Sequence, residues 1–346
     1  MSTATRLDDR HYPPTRFARF VVDPELCNAC ELCVQTCPGQ LLEMRGELPV
    51  NKHDDGRSPL GCIGCKNCMA VCKRDAIDVR GQYLVEAGYY RTQLGAPAPA
   101  NPLGRDPAPA WDDIQAELTE VEKVVYTRRS NRLYKDKPVA EATLRRVLEA
   151  ARFAPSQGNC QPWSFVVITD RDLLDRVGTA CTARASVVSK LYLRNGDSGP
   201  RRRLRNLAVN LLARVSPNNA DQRLAHGIDT IASVPGYDVF LHAPALIIVL
   251  GDKRGIGNPA IDCALATHSM VLVAHSLGLG TCYVGFTKML NGLPDLRREL
   301  GIDWPYEVVT SIVVGHPKGR NDRAVARERP PVTWFPADRS GPRKEG

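Results

Sequence analysis

Eight of the twelve cysteines stand in two runs of one pattern. The first is Cys27-Asn-Ala-Cys30-Glu-Leu-Cys33-Val-Gln-Thr-Cys37-Pro38. The second is Cys62-Ile-Gly-Cys65-Lys-Asn-Cys68-Met-Ala-Val-Cys72. Both read C-x2-C-x2-C-x3-C. Soft thiolates in sets of four bind iron–sulfur clusters or zinc. Zinc sites use two C-x2–4-C pairs, not a triplet with a trailing fourth cysteine. The triplet can wrap three corners of one cubane. The fourth cysteine, expected at the start of a short helix, then points to the other cluster. This assigns Cys27, Cys30, Cys33 and Cys72 to one [4Fe–4S] cluster and Cys62, Cys65, Cys68 and Cys37 to a second.

The spacing is that of bacterial ferredoxins. The two runs form an internal repeat within about eighty residues, too few for a large core, so the clusters substitute for one. The other four cysteines, Cys160, Cys181, Cys263 and Cys282, are scattered. Clustered cysteines in an intracellular chain argue for metal rather than a disulfide framework.

Three further segments could do chemistry. Arg128-Arg129-Ser130-Asn131-Arg132 places guanidinium groups beside a hydroxyl, which suits a phosphate monoester through bidentate charge-assisted bonds; alone it also reads as a solvated charged face. Ala154-Pro-Ser-Gln-Gly-Asn-Cys-Gln-Pro-Trp163 offers the hydroxyl of Ser156 and the amides of Asn159 and Gln161, set by two prolines. Gly278-Leu-Gly-Thr-Cys-Tyr-Val-Gly-Phe286 allows close backbone approach to a ligand. It is not a G-x-G-x-x-G opening a helix, so a Rossmann reading fails. No histidine pairs with a carboxylate at a metal-ligand spacing, so no catalytic side chain is assigned.

The elements that must position these segments follow from periodicity. Leu144, Val147, Leu148 and Ala151 predict an amphipathic helix over Ala140–Phe153. Ser164–Thr169, Ala245–Leu250, Thr281–Phe286 and Val308–Val314 read as strands. Ile261–Leu277 reads as a buried helix. Helices and strands mix around one sheet, giving an α+β class. Five prolines between Gly95 and Ala110 mark a semi-extended spacer. The predicted organisation is a cluster domain over 17–90, a Pro/Ala-rich linker over 91–115 and an α+β domain over 116–340.

Composition bounds the rest. The chain has 346 residues, 43% hydrophobic and 24% charged, with a net charge of +8. That charge is mild for this size. Met1–Arg19 is polar with no apolar h-region, and no stretch reads as a membrane span, so the expectation is a cytoplasmic protein. The basic stretch Arg201–Val215 reads as an exposed amphipathic helix or a face for an acidic electron donor. No recognition motif accompanies its arginines, so nucleic acid is not expected.

Together the motifs Arg-Arg-Ser-x-Arg, Ala-Pro-Ser-x-x-Asn-x-Gln-Pro-Trp and Gly-Leu-Gly-Thr-Cys-Tyr-x-Gly resemble the FMN-dependent nitroreductase family over about residues 120–336. The chain resembles the branch in which a two-cluster ferredoxin domain, about residues 20–85, is fused ahead. The resemblance implies a homodimer with one FMN per chain at the interface. Arg128, Arg129, Ser130 and Arg132 match its phosphate and ribityl contacts. Pro155, Ser156, Gln157 and Asn159 match the loop that the partner subunit lays around the isoalloxazine. The backbone of Val284 and Gly285 matches the stretch facing flavin N5 and O4. Arg327 and Arg329 are the candidates for a late basic residue at the phosphate.

The function so implied is an oxidoreductase. Single electrons pass from a low-potential donor such as ferredoxin through two [4Fe–4S] clusters to FMN, which reduces a small organic acceptor: a nitroaromatic, quinone or activated alkene. Two alternatives stay open. In one, NAD(P)H reduces FMN and electrons leave through the clusters; in the other, the chain is a redox relay or sensor subunit without its own substrate.

Overall fold

The computed structural model describes residues 15–52, 61–81, 84–85, 97–193, 228, 237–337 and 341–345. Arg201–Val215 lies outside the described residues. The chain divides into two units. Among the described residues, the first holds 15–127 and 322–345, and the second holds 128–193, 228 and 237–321.

In the first unit β1 (Thr15–Arg16) and β2 (Arg19–Val22) lead into the first cysteine run. Helix α1 (Leu32–Gln35) lies inside that run. The hairpin of β3 (Leu42–Arg45) and β4 (Leu48–Asn51) follows, turned at Gly46 with φ +62°. Helix α2 (Asn67–Val71) lies inside the second run, and β5 (Ile77–Arg80) closes it. Strand β2 pairs antiparallel with β5, and β3 with β4. Strand β6 (Leu84–Val85) pairs with β1.

The unit repeats itself. Cys27 recurs as Cys62, helix α1 as α2, and β3 as β5, each 35 residues later. The repeat extends to the backbone. Ala29, Glu31 and Gln40 take positive φ of 54°, 60° and 49°; their counterparts Gly64, Lys66 and Asp75 take 63°, 57° and 55°. Left-handed backbone is unfavourable for any residue but glycine, so five non-glycine instances at matched positions mark a turn that the cysteine loop demands. The core is correspondingly small: Leu42, Ala76 and Ile77 with Cys33 and Cys72, flanked by Phe20, Val22, Val34 and Met69.

The spacing predicts that the fourth cysteine of each run starts a helix; it does not. Cys37 follows α1, and Cys72 caps the C-terminus of α2; Cys33 and Cys68 ride in the helices instead. The left-handed residues Glu31 and Lys66 turn the chain immediately before each helix. The helix therefore begins inside the triplet and is already spent at the fourth cysteine.

The Pro/Ala-rich stretch carries one short strand, β7 (Pro97–Ala98), in a two-stranded pair where proline's missing N–H is tolerated. Helices α3 (Trp111–Ile114) and α4 (Glu120–Thr127) follow.

The second unit is built on a four-stranded antiparallel sheet. Its elements are α5 (Glu141–Arg152), β8 (Trp163–Ile168), α6 (Arg171–Leu193), β9 (Ala245–Asp252), α7 (Pro259–Ser276), β10 (Gly280–Tyr283), α8 (Pro294–Glu299) and β11 (Tyr306–Gly315). Strand order is β10-β11-β9-β8. Both faces are covered, so β9 is apolar at every position from Ala245 to Leu250. Leu246, Ile248 and Leu250 face one core with Val177, Phe240 and Leu290. Ala245, Ile247 and Val249 face the other, with Leu144, Val147 and Ala151 of α5 and Ala266, Met270 and Ala274 of α7. Helix α7 opens with Asn258 as its cap and Pro259 at its first turn.

The predicted strand Thr281–Phe286 is shorter than its pattern. It ends at Tyr283, and Gly285–Gly292 wind into a 3₁₀ helix. Val284 is pinned to Ser311 by its N–H at 3.0 Å, and the chain turns away there. Beyond β11 the chain returns to the first unit, where β12 (Arg327–Glu328) pairs with β7 and β13 (Val332–Trp334) pairs with β14 (Arg343–Glu345).

Candidate functional site

The first unit gathers the cysteines into two sets. Cys27, Cys30, Cys33 and Cys72 line one cavity, together with Asn28, Met44 and Arg74. Cys33 is pushed up to about 11, chiefly by burial and, less, by the neighbouring thiols of Cys30, Cys72 and Cys27, against the lowering effect of a Val34 backbone hydrogen bond. Cys68 is also raised, chiefly by burial and then by Cys65, Cys62 and Cys37. Each triplet thus has the other run's fourth cysteine for a neighbour, as the crossed pattern requires. Four thiols lining one cavity fit a group that displaces their protons, as iron does. Backbone N–H groups supply the secondary contacts. The Leu41 N–H donates to Cys37 Sγ at 3.5 Å. Such bonds tune cluster potential.

In the second unit the arginine segment is stitched to β10. Ser130 and Thr281 form a parallel bridge, and the Asn131 N–H donates to the Thr281 carbonyl at 2.8 Å. Gly280 makes this approach possible: a Cβ there would stand 2.8 Å from Asn131 Cβ and Cγ. Asn131 Nδ2 donates to Asn321 Oδ1 at 2.9 Å, and Asn321 Nδ2 lies 3.3 Å from His275 Nδ1. Tyr134 Oη donates to the Asn131 carbonyl at 2.7 Å.

This places a positive field over β10. Burial raises the Cys282 thiol, while Arg132, a hydrogen bond from Ser130 and Arg128 pull it back down. His275 and His268 are held below the usual imidazole range by burial first and by Arg128 second. The arrangement fits an anionic group. Asn131 Oδ1 is buried and accepts no hydrogen bond among the described residues, leaving an acceptor for a ligand hydroxyl. Gly285 is exposed with open space about its Cα, beside the buried Val284.

The loop Pro155–Gln161 is held by a residue that sequence reasoning missed. Asp262, on the first turn of α7, is only 5% exposed and accepts the Gln157 N–H with both oxygens at 3.3 Å. Ser156 Oγ accepts the Gln161 N–H at 3.0 Å, and Gln161 Nε2 donates to Asn159 Oδ1 at 3.1 Å. Gly158, Asn159 and Gln161 are left-handed. Pro155, Gln157 and Asn159 remain exposed. Arg327 and Arg329, also exposed, belong to the first unit, with Arg327 paired to Ala98.

With this geometry the chain can be set beside known proteins. The nitroreductase family profile matches residues 125–316, more than half of the chain. The chain belongs to the nitroreductase family. A 4Fe-4S binding domain profile matches residues 20–42, which hold the first cysteine run. This nitroreductase is 37% identical over 207 residues to the nitrobenzene nitroreductase of Ectopseudomonas oleovorans, covering 56% of this chain and 86% of that one. It is 30% identical over 220 residues to the 4-nitrobenzoate reductase of Nocardioides sp. strain LMS-CY, covering 60% and 85%. A solved nitroreductase with bound FMN from Bacteroides fragilis aligns with a TM-score of 0.44 at 22% identity, covering 58% and 89%. The architecture is thus a ferredoxin-type 4Fe-4S domain ahead of a nitroreductase α+β domain, and the protein is an FMN-dependent oxidoreductase of the nitroreductase type. Among the described residues no helix is long and apolar enough to cross a membrane.

Proposed function

We propose that this nitroreductase passes single electrons through two [4Fe–4S] clusters to FMN, and from there as a pair to a small organic acceptor such as a nitroaromatic, quinone or activated alkene. One observation carries the reading. The loop matched by the 4Fe-4S profile recurs 35 residues later with the same cysteines and the same left-handed positions, in one chain with a nitroreductase unit. Clusters exchange one electron at a time; bound FMN would take up single electrons and give up two.

The chain's own residues bind and orient. Cys27, Cys30, Cys33 and Cys72 would hold one cluster, and Cys62, Cys65, Cys68 and Cys37 the other. Arg128, Arg129, Ser130 and Arg132 would hold the phosphate and ribityl chain by charge-assisted bonds, with Arg327 or Arg329 as a further candidate. Pro155, Ser156, Gln157 and Asn159 would cover the ring of the partner subunit's flavin, and the backbone of Val284 and Gly285 would face its redox edge. A homodimer is supported by Ile261 and Leu265, which α7 leaves 57% and 43% exposed. Clustered reduced thiols favour a cytoplasmic setting.

The test is anaerobic turnover of purified protein with reduced ferredoxin and a panel of nitroaromatics and quinones, with NADPH as the rival donor. Ferredoxin-dependent bleaching and reoxidation of both chromophores supports the reading. Full flavin reduction by NADPH, with ferredoxin inert, would replace it with outward electron flow.

A further inference from the structure

The two halves of the ferredoxin-type unit share backbone geometry but not surroundings. In the first run Asn28, Cys30 and Glu31 are exposed. At the matched positions of the second run Cys65 is only half-buried and Lys66 is buried, with Gly64 and Asn67 buried beside them, while Ile63, the counterpart of Asn28, stays exposed. Lys66 is 5% exposed, a high cost for an ammonium unless it is bonded. Its Nζ donates to the Ala326 carbonyl at 2.8 Å. Three residues past Cys72, Asp75 forms an ion pair with Arg323. Lys66 and Asp75 are the repeat partners of Glu31 and Gln40. Both anchors therefore lie on the second half, at the two left-handed positions where the repeat changes residue type to a charge of opposite sign or a new charge. The strand that follows, β12, fixes the same segment to Pro97–Ala98. Arg323–Ala326 also lies beyond the nitroreductase-matched residues, which end at 316.

We infer that residues 322–328 are a strap belonging to the ferredoxin-type unit, which closes over the second cysteine loop and leaves the first open. The cluster of Cys27, Cys30, Cys33 and Cys72 is then the solvent-facing one, where an external one-electron donor exchanges electrons. The cluster of Cys37, Cys62, Cys65 and Cys68 is the sealed one. Lys66 is a positioning residue: it fastens its own loop to the strap. The inference rests on the two-cluster reading.

The test is anaerobic iron release from the full-length holoprotein to a ferrous chelator, timed by the coloured complex. Wild type should release iron in two phases of equal size, about four irons each. The Cys30→Ser variant should lose only the fast phase. Arg323→Gln should speed the slow phase about two- to fivefold and leave the fast one alone, the effect of losing a partly exposed ion pair. Lys66→Met should do the same, and Arg323→Gln, distant in sequence from every cysteine, guards against a mere ligand-loop defect. One phase in wild type, or a slow phase indifferent to Arg323→Gln, would overturn the strap. A protein purified with only four irons would overturn the two-cluster reading beneath it.

Discussion

Ser311 Oγ donates to the Val284 carbonyl at 2.8 Å, and the Ser311 carbonyl accepts the Val284 N–H at 3.0 Å. Thr287 Oγ1 donates in turn to Ser311 Oγ at 3.0 Å. Both hydroxyl residues are fully buried. The peptide leading into Gly285 is thus clamped on both sides by one residue. Ser311→Ala removes the shorter of two side-chain donors to the Val284 carbonyl, leaving Thr287 Oγ1 at 3.4 Å, a loss of about 0.5–1.5 kcal/mol. Urea unfolding of the purified protein should register that loss, together with weaker FMN retention. Unchanged stability would mean that Thr287 Oγ1 alone satisfies the Val284 carbonyl.

Gly280 is where the arginine segment meets β10. Gly280→Ala would drive a methyl into Asn131, whose backbone N–H is committed to Thr281. Overpacking of this kind costs roughly 1–3 kcal/mol. The expected phenotype is lowered FMN content in a protein that keeps its iron, read by flavin absorbance against iron assay.

Arg132 lies half-buried and, among the described residues, makes no ion pair within the unit. Arg132→Ala should weaken FMN binding about tenfold to a hundredfold, the worth of one charge-assisted hydrogen bond. Fluorescence titration of flavin-depleted protein measures it. Arg132→Lys should recover only part of the loss, because an ammonium lacks the planar fork.

The fold was largely legible from the residues. Runs such as Ala245–Leu250 and the Leu144–Val147–Ala151 spacing depend on local periodicity alone, and α5 and β9 stand within two residues of those ranges. The cysteine spacing likewise encodes crossed neighbours. Contacts between distant residues were not legible. Asp262 lies 105 residues from Gln157, and Lys66 lies 260 from Ala326. Neither carries a motif, since a lone aspartate or lysine takes its meaning from what the fold brings to it. The constant 35-residue offset could have flagged Lys66 and Asp75 as departures from Glu31 and Gln40. The end of β10 was missed because Val284–Phe286 is apolar in either conformation, and only the bond to Ser311 decides.

Asp238 offers a pH test. Burial pushes its carboxyl up, but Arg171 and the N–H groups of Phe240 and His242 outweigh that and leave it below the usual 3.8. A depressed carboxylate adds stability that is present above its unfolded value and lost as pH falls through the folded one. Asp238→Asn should therefore be less stable than wild type at pH 7, by about 1–3 kcal/mol. The gap should close in the acid range below pH 4. Thermal melts of both proteins from pH 3 to 7 measure it; a gap independent of pH would assign the loss to packing.

The central claim is that one chain holds two cubane clusters and one flavin. Iron, acid-labile sulfide, zinc and FMN measured on the same anaerobically purified sample test it most directly. The account predicts about eight irons, about eight sulfides, no zinc and about one FMN per chain. Four irons, stoichiometric zinc, or a protein that never retains flavin would contradict it.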